Sequence, residues 1–254
     1  RRDCASCKGD GTLNELPNIE TLFEVCEHSW PAAHQERVGP WIIRDGQGGG
    51  QRVSAATAES TFDQSDLARA EQAMQDLGQA RLFMVRDGET ELDAMLEANG
   101  YAIKDPVNMY ACPISNLTDV EIPRVTAFTI WEPLQIMQDI WASGGIDAAR
   151  IDVMLRSSCP KTALLARWNE QPSGTGCVAI HKDIAMVHAL EIVAHQRGMG
   201  VGKWMMRRAA VWASQQNATH MSVICTQAND AANGLYTSLG MTLIGKYHYR
   251  IKPD

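Results

Sequence analysis

The stretch 184–215 constrains the fold more than any other part of the chain. An apolar run, "IAMVHALEIV", turns within "AHQRGMGVG" into "VGKWMMRRAAVWASQQ", whose apolar positions recur at helical spacing. Glycines at 198, 200 and 202 keep the turn free of side chains and open to torsions that other residues avoid. A strand that feeds a long helix through such a turn belongs to an α/β layer, with the helix laid on a sheet face. Along the helix Val201, Trp204, Met205, Arg208, Ala209 and Trp212 fall on one stripe, predicted to pack against that sheet.

The surrounding pattern extends the layer from about residue 124 onward. "VTAFTIW" alternates as a strand, "PLQIMQDIWASGG" and "DAARIDVMLRSS" read as helices, and "TALLARW", "GCVAIH" and "IAMVHALEIV" as strands. Only Lys182-Asp183 separates the last two, so they form a hairpin. "HMSVIC" is the next strand, "NDAANGLYTSLG" a helix capped by Asn229 and ended by Gly240, and "MTLIGKYHYRI" closes as two short strands. The fold class is α/β, a mixed central sheet flanked by helices.

A joint between two halves falls at "CPISNLTDVEIPRV" (112–125), where Pro, Ser, Asn and Asp cluster. A shift that places Gly100 on Gly240 and Asp105 on Gly245 lays 81–113 over 221–253, and both segments read strand, capped helix, glycine, strands. In the first copy Leu96 stands where the second has Tyr236, Glu89 where it has Asn229, and "ATAESTF" (56–62) where it has the glycine run. The expected organisation is a flexible tail over 1–20, a degenerate first copy over 21–115 and a competent domain over 120–254.

Composition narrows the function. With 45% hydrophobic residues, 21% charged residues and no long apolar run, the 254-residue chain reads as a globular protein of the cytoplasm, without a signal peptide or membrane span. A formal charge of -7 argues against nucleic acid as a partner, because backbone binding rests on clustered Lys and Arg. The seven cysteines are odd in number and dispersed, which suits buried free thiols. Cys4-x-x-Cys7 with Cys26 and His28 narrowly misses a zinc pattern, and no metal is expected.

Three phosphate ligands compete for the glycine run. A nucleoside triphosphate loop requires G-x-x-x-x-G-K-[ST], but Arg197 stands at the first glycine and Trp204 at the hydroxyl position. A dinucleotide fingerprint requires G-x-G-x-x-G and an acid about 20 residues on, but the glycines are spaced G-x-G-x-G and the next strand ends "VICTQ". There remains R-x-x-G-x-G, filled by Arg197, Gly200 and Gly202, followed one strand later by Asn229-x-x-Ala232-x-x-Leu235-Tyr236 and then Gly240-Met241. With these motifs the second half resembles the GNAT superfamily of acyl-CoA-dependent N-acetyltransferases, and the first half a degenerate GNAT-like repeat.

The resemblance implies a donor, acetyl-CoA, whose pyrophosphate would lie in the loop Arg197, Gly198, Met199, Gly200, Val201, Gly202 and Lys203. A helix N-terminus suits this role, since its free N–H groups and partial positive charge favour anions. Backbone N–H groups around Ile192, Val193 and Ala194 would hold the pantetheine arm, and Asn229 would lie at the same site. Tyr236 would protonate the departing thiolate. His188 would take the proton of the amine, with Glu191 as the alternative. Strand alternation places His188 with Met186, Leu190 and Ile192 on one face and Glu191 on the other, unless the strand bulges. The acceptor would be a small-molecule or peptide amine, and the protein a monomer or homodimer. A non-catalytic acyl-CoA-binding module and a nucleotide-binding protein are the competing functions. The cluster Gly48 to Gly50 with Gln51-Arg52 reads as a hairpin tip, or alternatively as a lid over the acceptor.

Overall fold

The computed structural model describes residues 15–253. Helix α1 (Ile19–Ser29) starts at Asn18, whose side chain accepts the N–H of Thr21. A hairpin of β1 (His34–Val38) and β2 (Trp41–Asp45) joins β3 (Thr57–Ala58) in a small antiparallel sheet. There follow α2 (Gln64–Asp76), β4 (Leu82–Arg86), α3 (Thr90–Ala98), β5 (Ala102–Pro113) and the single turn α4 (Ser115–Thr118). The second half comprises β6 (Ala127–Ile130), α5 (Gln135–Ser143), α6 (Ala148–Arg156), β7 (Lys161–Trp168), β8 (Gln171–His181), β9 (Ile184–Ile192), α7 (Val201–Gln215), β10 (His220–Thr226), α8 (Asp230–Ser238) and β11 (Thr242–Ile251).

Eight strands form one mixed sheet in the order β4-β11-β5-β10-β9-β8-β7-β6, in which only β9 and β10 run parallel. The two halves exchange strands: β11 lies between β4 and β5, and β5 lies between β11 and β10. The registers reveal a symmetry. Leu82 pairs with Ile251 and Arg86 with Tyr247, while Ser222 pairs with Ala111 and Thr226 with Val107. These pairings interconvert under the same shift that lays Gly100 on Gly240, so a pseudo-two-fold axis passes through the pair Tyr247 and Val107. The closing segment is one strand rather than two, because β5 pairs along its length and two irregularities, at Leu243/Gly245 and Tyr247/Tyr249, absorb the breaks. A side-chain network ties the exchange to α8: Tyr110 and Asn108 of β5 both donate to Asn233 Oδ1, at 2.8 Å each.

α7 covers one face of the sheet, against Val178, Val187, Met221 and Val223. The other face carries α1, α5 and α6, with Leu22 and Val25 packed near Met186, and Met137, Trp141 and Met154 near Cys177. The buried side of α7 differs from the predicted stripe. Met206, Arg207, Ala210 and Ala213 are buried beside Val201, Met205 and Ala209, whereas Trp204, Arg208 and Trp212 lie at the margin. Alanines let the helix approach the sheet closely, and the bulk of the two tryptophans suits a rim position. Cys26, Cys112 and Cys177 are buried free thiols, and Cys4 and Cys7 lie outside the described residues. Among the described residues no helix is long and apolar enough to cross a membrane.

Met109, fully buried on β5 between β11 and β10, belongs to both halves. Met109→Ala is expected to cost about 2–5 kcal/mol. In urea titrations followed separately by a probe beside Trp41 and one beside Trp141, a single coincident transition should move to lower denaturant. Two separated transitions would contradict a shared core.

Candidate functional site

The parallel pair β9 and β10 is bonded only from Ile184/His220 to Val187/Val223. Beyond that point β9 continues to Ile192 on β8 alone, and β10 to Thr226 on β5 alone, so the two strands splay. The cause lies in β9. Its register against β8 slips between Thr175 and Cys177, where Ala189 takes a left-handed φ of 49°. The Trp141 indole N–H donates to the Ala189 carbonyl at 2.8 Å and holds the bulge in place.

The bulge overturns the predicted alternation. Leu190 and Ile192 pack with Val187 under α7, while His188 and Glu191 share the opposite face with Met186. Glu191 presses against the turn after α5, where a Cβ on Gly144 would come within 2.4 Å of its carboxyl carbon. The Val193 N–H is not free, since it donates to the Ser173 carbonyl at 2.9 Å, and Ala194 opens a 3-10 turn over Ala194–Gln196. Backbone without a partner strand therefore lies on the β10-facing edge of β9 ending at Ile192, and Ala194, as the first residue of its turn, has no turn partner for its N–H.

The glycine turn uses its glycines differently. Gly198 and Gly200 have φ of 78° and 80°, with open space where a Cβ would stand. Gly202 instead makes room for α8, as its Cβ would meet Leu235 at 2.9 Å. Gly200 is the N-cap of α7 and no side chain caps the helix, leaving Val201, Gly202 and Lys203 as its first turn. Met199 and Lys203 are exposed. Arg197 folds back: its Nε donates to the Ile192 carbonyl at 3.1 Å and its Nη2 to Glu191 Oε1 at 2.9 Å.

Across the splay stands α8. Asn229 caps it by accepting the Ala232 N–H at 3.0 Å, a structural task that occupies its side-chain oxygen. Tyr236 is buried, its ring 5.9 Å from that of Tyr110, and its hydroxyl bonds to no described residue. Burial, with Cys225 nearby, pushes the phenol pKa well up and keeps it protonated. Burial likewise raises the Cys225 thiol to about 11.

His188 is not a free base. It is 3% exposed, and its ring lies 4.9 Å from that of Trp30. Arg52 Nη1 sits 3.1 Å from Nδ1 and, being only a donor, makes Nδ1 the acceptor. Nε2 then donates to the Ser29 hydroxyl at 2.8 Å, which donates to the Val25 carbonyl at 2.6 Å. Both nitrogens are committed. Burial first, and the Arg52 charge second, lower the imidazole pKa well below its usual value. The expected proton acceptor is thus a neutral, wedged side chain.

A cleft of about 280 Å³ opens beside the splay, bordered by Ala189, Cys225, Thr226, Arg52, Arg150 and Tyr247 among others. Cavities of about 300 and 520 Å³ elsewhere touch neither β9 nor β10. Sequence reasoning missed Asp105, Arg150 and Tyr247, and named Arg52 only within the alternative lid over the acceptor. The signal was the glycine cluster before Gln51-Arg52, which is packed against the second half: a Cβ on Gly49 would stand 2.5 Å from Val153, and one on Gly50 3.3 Å from Arg150. The segment 46–56 joins the antiparallel pair β2 and β3, and its glycines also permit a close approach between the halves.

A parallel strand pair thus splays beside a glycine-rich helix start, with a buried phenol on the neighbouring helix. The acetyltransferase (GNAT) family model matches residues 131–241. Over 246 residues the chain is 23% identical to the uncharacterized N-acetyltransferase YobR of Bacillus subtilis (strain 168), covering 93% of this chain and all of that protein. The fold is similar to that of a GCN5-related N-acetyltransferase from Kribbella flavida, with a TM-score of 0.68 at 19% identity, covering 92% of this chain and 95% of that one. It is also similar to a tandem GNAT protein from the clavulanic acid biosynthesis pathway, with a TM-score of 0.60 at 10% identity, covering 84% and 78%. The chain is thus similar to GNAT acetyltransferases, and the match to the family model lies in its second half.

The His188 environment makes a pH prediction. An imidazole whose folded pKa is depressed contributes its full stability above the unfolded value of about 6.5, and progressively less as pH falls toward the folded value. In heteronuclear NMR the His188 ring should stay neutral, with Nε2 protonated, from pH 8 down to 5.5. A midpoint near 6.5 would contradict the assignment.

Proposed function

We propose that this protein transfers an acetyl group from acetyl-CoA to the primary amine of a small molecule or peptide in the cytoplasm, by direct attack. The splay of β9 and β10 carries the proposal, because it offers an unpaired backbone edge at a point between an uncapped helix start and the Tyr236 hydroxyl. Gly198, Met199, Gly200, Val201, Gly202 and Lys203 would receive the pyrophosphate on backbone N–H groups, with side chains absent where approach is closest. The edge ending at Ile192 would receive the pantetheine amides. Asn229 would act by fixing the start of α8, and through it the position of Tyr236.

In this scheme the amine nitrogen forms a bond to the thioester carbonyl carbon and the C–S bond breaks. Tyr236 gives its proton to the sulfur, and the amine gives one up to a base. With His188 committed, Glu191 is that base. Its carboxylate accepts a bond from Arg197, and a bound pyrophosphate would compete for the same guanidinium. Donor binding would therefore release the base, which makes acetyl-CoA the first substrate to bind.

Acetyl-CoA at a hundredfold excess over Kd should stabilise the fold by about 2.7 kcal/mol, raising Tm by several degrees, while ATP and NAD leave it unmoved. Tyr236→Phe is expected to lower kcat by about 10²–10⁴ with donor affinity retained. Arg197→Ala should raise the donor KM by roughly 10-fold or more. Stabilisation by ATP or NAD alone would overturn the proposal. Acetyl-CoA binding without acetylation of any amine in a broad panel would favour an acyl-CoA sensor.

A further inference from the structure

The charge distribution of the cleft singles out Arg52. The buried arginines among the described residues each hold a carboxylate: Arg44 grips Glu27 through two nitrogens at 2.9 and 3.0 Å, Arg250 holds Asp93 at 2.7 Å, and Arg207 holds Asp119. Arg52, which is half-buried, does not. The turn Gln51–Val53 delivers its side chain over the Trp30 ring, with the guanidinium carbon 5.9 Å from the ring centre. Its hydrogen bond is to the His188 imidazole at 3.1 Å, and the Tyr247 phenol and the Cys26 thiol lie close by. All three are neutral at pH 7, since burial holds the thiol and the phenol protonated and the imidazole unprotonated. Its Nε is buried with no partner, and among the described residues no carboxylate forms an ion pair with it.

A guanidinium does not lose its proton in a protein, so the cleft holds a standing positive charge whose fork is only partly used. Arg150 adds a second guanidinium to the same wall, tied by one bond of 3.2 Å to the Gly145 carbonyl. Asp105 supplies the opposite charge. Its Oδ2 accepts from Gln51 at 2.7 Å, and its Oδ1 bonds to no described residue. Two cations and one anion around a volume of about 280 Å³ complement a small zwitterion.

We infer that the acceptor is a free amino acid, whose carboxylate is received by Arg52 and Arg150 and whose amino group is thereby held toward the splay. The inference rests on the acyl-transfer function proposed above and names its substrate class. Position supports it: His188, which Arg52 touches, immediately precedes Ala189 at the bulge, so a carboxylate on Arg52 leaves the neighbouring amine a short span from the open edge of β9. His188 becomes a positioning residue that aims the guanidinium. A site built around an ionic partner rejects analogues that lack it, because the buried charge is then left unpaired.

The test compares, in the unaltered protein with acetyl-CoA, the twenty amino acids with their carboxamides and their decarboxylated amines, and includes phosphoethanolamine. At least one amino acid should exceed its amide and its amine by 100-fold or more in kcat/KM. Arg52→Gln should raise KM for that acid and bring the acid-to-amide ratio close to one, while Arg52→Lys keeps part of it. Equal use of acids, amides and amines would overturn the inference and leave acetyl transfer standing, as would a preference for phosphoethanolamine. Calorimetry of the amino acids in the presence of CoA separates the two proposals. Arg52-dependent binding without turnover would preserve the ligand class and defeat the transferase, and absence of both binding and turnover would defeat the inference.

Discussion

The pairing of β11 with β5 is the interaction on which the rest of the molecule depends. Each strand is supplied by one half and completes the sheet of the other, and the two meet around Tyr247 and Val107. Because of that exchange, loop 46–54 from the first half lies against α6 of the second, and Arg52 reaches His188. Tyr247, brought in by β11, borders the same cleft. The site is thus assembled at a seam, and the first half contributes walls and charges even though it lacks the glycine turn.

A second constraint acts inside that frame. One residue in a left-handed conformation, Ala189, splits a parallel strand pair that would otherwise close on itself. Such a residue is strained unless its surroundings hold it, and the Trp141 indole does so by binding its carbonyl. The same bulge rotates Leu190 and Ile192 under α7 and turns Glu191 toward α5, so one local irregularity sets both the opening of the sheet and the facing of Glu191.

Much of this was legible in the sequence, for physical reasons that can be named. The strand, glycine turn and long helix over 184–215 stand as read, because glycine torsions and helical periodicity are local properties. Asn229 caps α8 as its residue type demands. The shift between the two copies reappears in the strand registers, since paired segments of equal length preserve their spacing. What sequence could not supply were effects of distant neighbours. His188 is silenced by Arg52 and Ser29, which lie far away in the chain, and the facing of Glu191 depends on a bulge that no local pattern announces. Arg52 looked like a loop residue until the second half was folded against it.

The position of β11 has a consequence for biosynthesis. β4 and β5 emerge from the ribosome early, but the strand that belongs between them is made only after β6 to β10. At about 5–20 residues per second, the slot stays open on the order of ten seconds while the second half is translated. During that interval two facing strand edges, flanked by apolar side chains such as Met84, Val107 and Met109, lack their partner. Nascent chains of this protein should therefore be clients of chaperones that shield unpaired strands until translation delivers β11.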